Sequence, residues 1–313
     1  MSEEQMTLDE CIHENKVNGK SRTLPAGFKV PRKIPYFIKQ PWARVTLDIW
    51  LKPNKLIGVL LSGDPCTGKN STVEHACALH KYDGICYINC DPEFGREDFK
   101  GHPRLKVQEG CPIDYLCAGA LVLGAQATEL GYKVVLFFDE FNDTHTGVQM
   151  SLNGVLNGDG GFFNNYESKW VSYSAPKIAL ACNDGFAGTR EIAHSTRDRC
   201  VPQFSTPLSQ SQETQLLIKH TRISTSTATL MANAAHAIRI AAKGGNPSKP
   251  QPFQYFMTTR ALLECATLIQ NGLSLSEAWK ISVIGRAGNN LKSQGIQNIL
   301  LELSKAAKVL EEK

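Results

Sequence analysis

Residues 63–70 read Gly63-Asp64-Pro65-Cys66-Thr67-Gly68-Lys69-Asn70. They follow a short apolar run, residues 58–62, and precede a helix-compatible stretch, residues 71–80. A glycine loop between a strand and a helix presents backbone N–H groups and a helix N-terminus, which together can hold a polyphosphate. A lysine at the end of such a loop can reach the terminal phosphates. The stretch therefore predicts a phosphate-binding loop.

A second apolar run, residues 133–138, ends in the carboxylates Asp139 and Glu140. One carboxylate at such a position can hold Mg²⁺ and the other can polarise a water molecule. A phosphate loop followed by an acidic strand end, in that order, indicates a protein that binds a nucleoside triphosphate with Mg²⁺. The competing interpretation is a glycine turn beside an unrelated acidic strand end.

The composition excludes several classes of protein. The chain has 313 residues, of which 42% are hydrophobic and 20% charged, which is enough for about two globular domains. No apolar run approaches the roughly 20 residues of a membrane helix, and the polar, acidic start is unlike a signal peptide. The ten cysteines show no paired metal-binding spacing. We therefore expect reduced core thiols in a cytoplasmic protein with no membrane partner.

Strand-like and helix-like patterns alternate between residues 45 and 208. Near-continuous apolar strands that alternate with helices favour an α/β fold with a parallel sheet covered on both faces. One of the intervening helices is expected at residues 114–130. From residue 209 to residue 313 the pattern is helical, and residues 294–310 carry the apolar stripe of a docking helix. The five expected strands are residues 58–63, 84–90, 133–140, 177–184 and 200–206.

Residues 1–44 form a third region, polar at first and then basic, with prolines and aromatics. Residues 19–44 contain seven Lys or Arg and no acid, so the net charge of +4 leaves about −3 for the rest of the chain. One interpretation is an extended arm whose aromatics pack on the body of the protein or on a neighbouring subunit. The other is a contact with nucleic acid or an acidic partner.

The order of these features resembles the AAA+ ATPases, and more narrowly the MoxR branch with the CbbQ/NirQ-type activators and the cobaltochelatase small subunit. The resemblance covers about residues 50–285. It implies an αβα nucleotide-binding domain with a five-stranded parallel sheet, a helical lid, ATP and Mg²⁺ as cofactors, and a ring, usually of six subunits. The nucleotide-binding residues that it implies are Gly63, Asp64, Pro65, Cys66, Thr67, Gly68, Lys69, Asn70 and Ser71.

The same resemblance assigns roles at the strand ends. Asp139 matches the acid that is linked to Mg²⁺, and Glu140 matches the base that orients the attacking water. Asn183, at the end of the fourth expected strand, matches the polar residue called sensor 1, which positions water against the γ-phosphate. An asparagine at that place can also be an ordinary turn residue.

Three arginines also match family positions. The stretch 196–200 resembles the family's Asp-Arg-Phe, so Arg199 is the first candidate and Arg197 the second for a finger that reaches the neighbouring subunit's site. Such fingers accelerate phosphoryl transfer by ~10³–10⁵. The alternative for both is a surface salt bridge. Arg260 follows Thr258 and Thr259 and looks like sensor 2, which contacts the γ-phosphate from within the same chain.

Two residues depart from the family pattern. Asn70 stands where a Ser or Thr hydroxyl would bind Mg²⁺, and Cys66 replaces a common loop glycine. An amide oxygen can ligate Mg²⁺ but is aimed differently, and Ser71 lies about 100° further round the helix. We therefore expect nucleotide binding to survive and hydrolysis to be slow or dependent on a partner.

Residues 159–166, followed by residues 170–173, predict a hairpin between the acidic strand and Asn183. One interpretation of Phe162 and Phe163 is that they grip a substrate, and the other is that they pack the hairpin onto the body of the protein. The function that the resemblance implies is a ring-forming ATPase that remodels, activates or assists metal insertion into a partner protein. Two alternatives remain at this stage. One is a motor or loader coupled to nucleic acid through residues 19–44, and the other is a nucleotide-bound structural ring that hydrolyses little ATP.

Overall fold

The computed structural model describes residues 13–17, 20–24, 27–108, 111–158, 160–164, 169–172, 176–183, 189–242, 255, 257–287 and 291–310. The chain divides into two compact units. The first comprises the described residues up to Pro35, with Pro41–Asp64 and Gly68–Ser205. The second comprises Tyr36–Gln40, Pro65–Thr67 and the described residues from Thr206 onward.

The first unit contains twelve strands among its described residues. They are β1 (His13–Val17), β2 (Lys20–Leu24), β3 (Phe28–Lys29), β4 (Gly58–Gly63), β5 (Gly84–Asn89), β6 (His102–Gln108), β7 (Cys111–Cys117), β8 (Val134–Asp139), β9 (Gly161–Asn164), β10 (Lys169–Ser172), β11 (Lys177–Ala181) and β12 (Cys200–Ser205). The main sheet has the order β12-β4-β11-β8-β5-β3. Its first five strands run parallel, and β3 joins β5 antiparallel at the edge. The pairs β1–β2, β6–β7 and β9–β10 form separate antiparallel sheets.

The five-stranded parallel sheet expected from the sequence is therefore confirmed, with β3 as an unexpected sixth strand. The parallel strands are apolar on both faces because both faces are covered. In β8 the residues Val134–Phe138 are all buried, and only the terminal Asp139 reaches partial exposure. This pattern puts Asp139, the one polar residue of the strand, at its carboxyl end.

The expectation of one helix over residues 114–130 was wrong in its first part. Residues 111–117 form β7, which pairs with β6 in the register His102↔Cys117 to Gln108↔Cys111. The helix begins only at Ala120, after Gly119. A Cβ on Gly119 would lie 2.5 Å from the backbone of Phe99 and of Gly101, so the chain turns there in a space that admits only glycine. The apolar residues before that turn belong to the hairpin.

Six α-helices belong to the first unit within the described residues. They are α1 (Lys69–Leu79), α2 (Arg96–Lys100), α3 (Ala120–Glu129), α4 (Thr146–Gln149), α5 (Asn153–Asn157) and α6 (His194–Arg197). Aromatic rings fill the core beside β8, where Phe99 packs on Phe138 at 5.3 Å and Phe138 on Phe141 at 6.1 Å between ring centroids. All three rings are fully buried. The packing holds the end of β8 in a fixed place, which matters for the site that follows it.

The basic N-terminal segment is packed where the structure describes it. In the first unit, Phe28 is buried in the core and the backbone N–H of Ile34 donates to His75 Nδ1 at 3.1 Å. In the second unit, the ring of Tyr36 meets the ring of His220 edge-on, with centroids 5.4 Å apart. Phe28 and Tyr36 thus contact their own chain, and Tyr36 remains 55% exposed.

The second unit is helical. Its α-helices are α7 (Gln210–Thr221), α8 (Thr225–Ala242), α9 (Thr259–Gln270), α10 (Leu275–Trp279) and α11 (Leu291–Ala306). They enclose a core of their own that includes Leu217, Met231, Leu262, Trp279 and Leu300. Among the described helices, none is both long and apolar enough to cross a membrane.

The last helix is shorter than the sequence pattern indicates. α11 ends at Ala306, and Lys308 adopts a left-handed conformation with φ 57°. Leu310, which the pattern placed on the helix, is buried after this turn. The apolar stripe of α11 packs on the second unit itself, with Leu300 fully buried and Ile296 and Leu303 against the core.

Candidate functional site

The sheet order brings three strand ends side by side. β4 leads into the glycine loop, β11 lies next to it and ends before Asn183, and β8 lies next to β11 and ends at Asp139. Because these strands are parallel, their carboxyl ends meet at one edge of the sheet. Ligands of open parallel sheets bind outside this edge.

Two glycines shape the loop for different reasons. Gly63 has φ +131°, and a Cβ on it would lie 2.3 Å from the carbonyl oxygen of Ser205 on the paired strand β12. Gly68 has φ +89° with open space around the Cβ position and precedes the first residue of α1. Cys66 also takes a left-handed conformation, with φ 57°. That conformation, which favours glycine, costs a cysteine roughly 1–2 kcal/mol.

Lys69 lies at the centre of the described site. Its Nζ donates to the carbonyl oxygens of Gly63 at 3.0 Å and Asp64 at 2.9 Å, and to Asn183 Oδ1 at 2.9 Å. The residue is 5% exposed. The loop lysine and the expected sensor asparagine are therefore in direct contact.

Asn70 and Asp139 form the second contact. The Nδ2 group of Asn70 donates to Asp139 Oδ2 at 2.5 Å, although the two residues are 69 positions apart in the chain. The nitrogen must face the carboxylate, because an ionised carboxylate accepts hydrogen bonds only. The amide oxygen then points elsewhere and would have to rotate inward to ligate a metal. Asn70, which departs from the family pattern, therefore contacts Asp139, the residue that is expected to hold Mg²⁺.

The donor set at this edge suits Mg²⁺ that is shared with a nucleotide. Asp139 and Asn70 offer hard oxygen ligands, which Mg²⁺ prefers. Among the described residues, no three His, Cys, Asp or Glu side chains are gathered to hold a metal by themselves. A cation here would therefore take its remaining ligands from phosphate oxygens and water, as is usual for Mg²⁺ in nucleotide sites.

Glu140, which follows Asp139, has an unusual backbone conformation and a raised pKa. It adopts a left-handed conformation, φ 54° and ψ 35°, which is rare for a residue with a side chain. Burial is the main cause that raises the pKa of Glu140, and the negative charges of Asp139 and Asp143 raise it further. A carboxylate whose pKa is raised is a better proton acceptor once ionised, which suits a base that acts on water.

Asn142 holds the backbone of Asn183 from both sides. Its Nδ2 donates to the Asn183 carbonyl oxygen at 2.9 Å, and its Oδ1 accepts from the Asn183 N–H at 3.3 Å. Asn142 itself is 3% exposed. Asn142 ends the stretch Asp-Glu-Phe-Asn, residues 139–142, which begins at the last residue of β8. The structure gives it a physical role, because it fixes the residue whose side chain meets Lys69.

The two candidate finger arginines differ in their surroundings. Arg199 is half-buried, and its Nε donates to Asn157 Oδ1 at 2.6 Å and its NH1 group to the Ser195 carbonyl oxygen at 2.5 Å. Arg197 is exposed at the end of α6. Within the described residues, neither arginine forms a hydrogen bond with the residues at the carboxyl ends of β4, β8 and β11. A finger at Arg199 would have to leave its present contacts.

Arg260 belongs to the second unit, where it is exposed in the first turn of α9. Thr258 is the cap of this helix, because its hydroxyl accepts from the Ala261 N–H at 3.1 Å. Thr259 donates instead to Glu213, a fully buried carboxylate. Sequence reasoning missed Glu213, although it shares one helix face with the buried Leu217 and Thr221. A glutamate in the first turn, at the start of such a buried face, is a usable signal of a buried ion pair.

The predicted hairpin is confirmed as β9 and β10, with Phe163 directly opposite Trp170. Both of these side chains are about half exposed, and Lys100 Nζ donates to the Phe163 carbonyl oxygen at 3.1 Å. The side chain of Phe162 lies outside the described residues.

Comparison with protein families identifies the first unit. Residues 58–169 match the AAA domain of the dynein-related subfamily, a range that begins with β4 and includes Lys69 at the start of α1 and Asp139 at the end of β8. The chain carries an AAA+ domain. Residues 213–302 match the family described as CbbQ/NirQ/NorQ C-terminal, which spans most of the helices after the AAA+ domain. The two matches support an AAA+ ATPase of the CbbQ/MoxR type.

Solved structures resemble the chain at low sequence identity. A RuvB point mutant from Thermotoga maritima matches with a TM-score of 0.50 and 14% identity, over 91% of this chain and 77% of that one. The structure titled Thermotoga maritima RuvB Holliday junction branch migration motor matches with a TM-score of 0.47 and 15% identity, over 90% and 75%. None of the curated proteins matches the chain at a significant level. The likeness to RuvB shows the fold alone.

Proposed function

We propose that this protein binds and hydrolyses ATP with Mg²⁺, assembles as a ring, and uses the nucleotide cycle to remodel or activate a partner protein. The observation that carries the proposal is the contact of Lys69 Nζ with Asn183 Oδ1 at 2.9 Å, beside the contact of Asn70 with Asp139. Residues from three separate parts of the chain meet there, and they are of the kinds that phosphoryl-transfer sites use, which supports the proposal. Assistance in metal insertion, as in the cobaltochelatase resemblance, is one form that this activity could take.

Each residue at the edge of the sheet has a separate role in this proposal. Lys69 would exchange the carbonyl oxygens of Gly63 and Asp64 for phosphate oxygens, which gives its charge a stronger partner. Asp139 and Asn70 would hold the metal, which neutralises charge on the phosphates when bound. Glu140 would accept the proton of the attacking water, and Asn183 would orient that water.

The arginines complete the proposed mechanism. Arg199, or Arg197 in its place, would reach the nucleotide of the neighbouring subunit, and Arg260 would contact the γ-phosphate within its own chain. A site that two subunits share hydrolyses ATP only when the ring is assembled. The finger would stabilise charge that develops on the transferred phosphoryl group.

The test is a titration with a fluorescent ATP analogue and Mg²⁺, on the full chain and on Lys69→Ala. We expect saturable binding by the natural chain and a loss of roughly 100-fold or more in the variant, because a buried charge–phosphate contact disappears. Lys133→Ala, which removes an exposed lysine before β8, is the matched control and should bind normally. Equal binding by the natural chain and Lys69→Ala would contradict the proposal.

A nucleic-acid partner is the second candidate, favoured by the exposed basic side chains of residues 29–39. Lys29, Arg32, Lys33 and Lys39 are exposed, while Phe28 in the same segment is buried. Nucleic-acid binding through such a segment would weaken steeply with salt. ATP turnover that rises on addition of single- or double-stranded DNA would support this candidate, and unchanged turnover would count against it.

A further inference from the structure

A buried group of polar side chains joins three helices of the second unit. The NH1 and NH2 groups of Arg239 in α8 donate to Oε2 and Oε1 of Glu213 in α7, at 2.8 and 2.7 Å. Thr259 Oγ1 in α9 donates to the same Oε1 at 2.7 Å. The Glu213 side chain is fully buried and that of Arg239 is 14% exposed. Every oxygen of the carboxylate is therefore used inside the unit.

The group holds the start of α9 on both sides of its cap. Arg239 Nε donates to the carbonyl oxygen of Met257 at 2.7 Å, one residue before the cap Thr258. Thr259, one residue after the cap, is bound to Glu213. Arg260 is the next residue along the helix. The backbone from which Arg260 extends is thus fixed at two points by one ion pair.

A contribution to stability does not by itself explain why the Glu213–Arg239 ion pair is buried. Burying two charges costs so much desolvation that well-packed apolar side chains in their place are often as stable or more so. A bidentate arginine–carboxylate pair does, however, fix geometry in two directions. Arg260 itself is exposed. Its reach depends on the position and direction of the first turn of α9.

We propose that Glu213 and Arg239 are positioning residues that set where the Arg260 guanidinium lies. The inference rests on the proposed function, in which Arg260 contacts the γ-phosphate. The pair is neutral as a whole, so it acts on Arg260 through geometry rather than through its electrostatic field. The consequence is that discrimination between ATP and ADP depends on two side chains that touch neither nucleotide.

The test replaces both members at once, Glu213→Leu with Arg239→Met, so that no single charge is left buried. The measurement is the ratio of the dissociation constants for ADP and ATP, from titrations of the full chain with fluorescent nucleotide analogues and Mg²⁺. Arg260→Ala alone and the three substitutions together complete a cycle, which reports whether the pair acts through Arg260. Ser304→Ala is the matched control, because it removes the buried bond from Trp279 Nε1 elsewhere in the same unit.

We expect Arg260→Ala to lower the ADP/ATP ratio by ~10- to 100-fold, the effect of a hydrogen bond to a charged group. The pair replacement should lower it to within about twofold of the same value, and adding Arg260→Ala should change it no further. Ser304→Ala should leave the ratio unchanged. Thr259→Val, which removes one hydroxyl and no charge, should lower the ratio part of the way and carries the test if the double replacement does not fold.

The contrary results are distinct. An unchanged ratio in the folded pair variant or in Thr259→Val, with a fall in Arg260→Ala, would overturn the positioning role and leave the proposed function standing. An unchanged ratio in Arg260→Ala itself would overturn the inference and remove Arg260 from the nucleotide site. Failure of the natural chain to bind either nucleotide would overturn the proposed function.

Discussion

One hydrogen-bonded pair of polar side chains, at the carboxyl edge of the main sheet, is exposed or partly exposed, whereas another, at the start of α9, is largely buried. At the sheet edge, Asn70 is exposed, Asp139 is half-buried, and their contact can be exchanged for a ligand. At the start of α9, Glu213 and Arg239 are closed off from water and bonded to each other. The difference teaches that partnered polar groups are not all alike. An exposed hydrogen-bonded pair can exchange its contact for one with a substrate, whereas a buried pair fixes the geometry of the backbone around it.

The largest expected effect lies at Arg199, the first candidate for the proposed arginine finger. We expect Arg199→Ala to lower ATP turnover by ~10³-fold or more, because charge on the transferred phosphoryl group loses its partner. Turnover is measured at a protein concentration that supports assembly. Arg197→Ala is the matched control and should stay within about threefold, as for an exposed surface charge. The reverse ranking would transfer the finger role to Arg197.

The next effect separates binding from hydrolysis at the sheet edge. Glu140→Gln should lower turnover by ~10²–10⁴-fold because the proton acceptor for water is removed. Nucleotide affinity should be kept or improved, since a negative charge near Asp139 is removed. Both quantities are measured on the same preparation, by phosphate release and by titration. A parallel loss of affinity and turnover would contradict the role of a base.

The third effect compares a buried and an exposed ion pair within the helical unit. Arg239→Ala leaves the Glu213 charge buried and unpaired, which should lower the free energy of unfolding by about 3–5 kcal/mol. Arg286→Ala breaks the partly exposed pair with Glu264 and should cost about 0–1 kcal/mol. Urea denaturation of the two variants measures the difference. Equal losses would show that burial does not distinguish the two pairs.

The smallest effect concerns the departure in the phosphate loop. Asn70→Thr removes the amide donor to Asp139 and supplies the hydroxyl that Mg²⁺ meets in related loops. We expect turnover to rise by ~10-fold and half-maximal activation to need less Mg²⁺, the scale of one improved metal contact. A gain of several hundredfold would favour a nucleotide-bound structural ring as the natural state. Unchanged turnover and Mg²⁺ dependence would show that Asn70 does not limit the site.

Much of the AAA+ domain could be predicted because its signals are local. β4 lies where the sequence placed it, from Gly58 to Gly63, and β8 and β11 end within a few residues of the expected positions. A parallel sheet then forces the ends of these strands together. The contact of Lys69 with Asn183, which are 114 residues apart, follows from that rule once the strands are correct.

The features that the sequence did not reveal depend on distant partners. β3 is two residues long and exists because Phe28 and Lys29 pair with β5, which no local pattern indicates. Residues 111–117 are apolar enough for either a helix or a strand, and pairing with β6 decides the matter. The Glu213 and Arg239 pair joins residues 26 positions apart on two helices. Such contacts become visible only when the helices are packed.

The most direct test of the central claim is ATP turnover per subunit measured over a range of protein concentrations, with Lys69→Ala as the blank. A shared site predicts that turnover per subunit climbs with concentration as subunits assemble, and that it vanishes in the variant at every concentration. Turnover that is independent of concentration would contradict an arginine supplied by a neighbouring subunit. Turnover that persists in Lys69→Ala would contradict the assignment of the phosphate-binding loop.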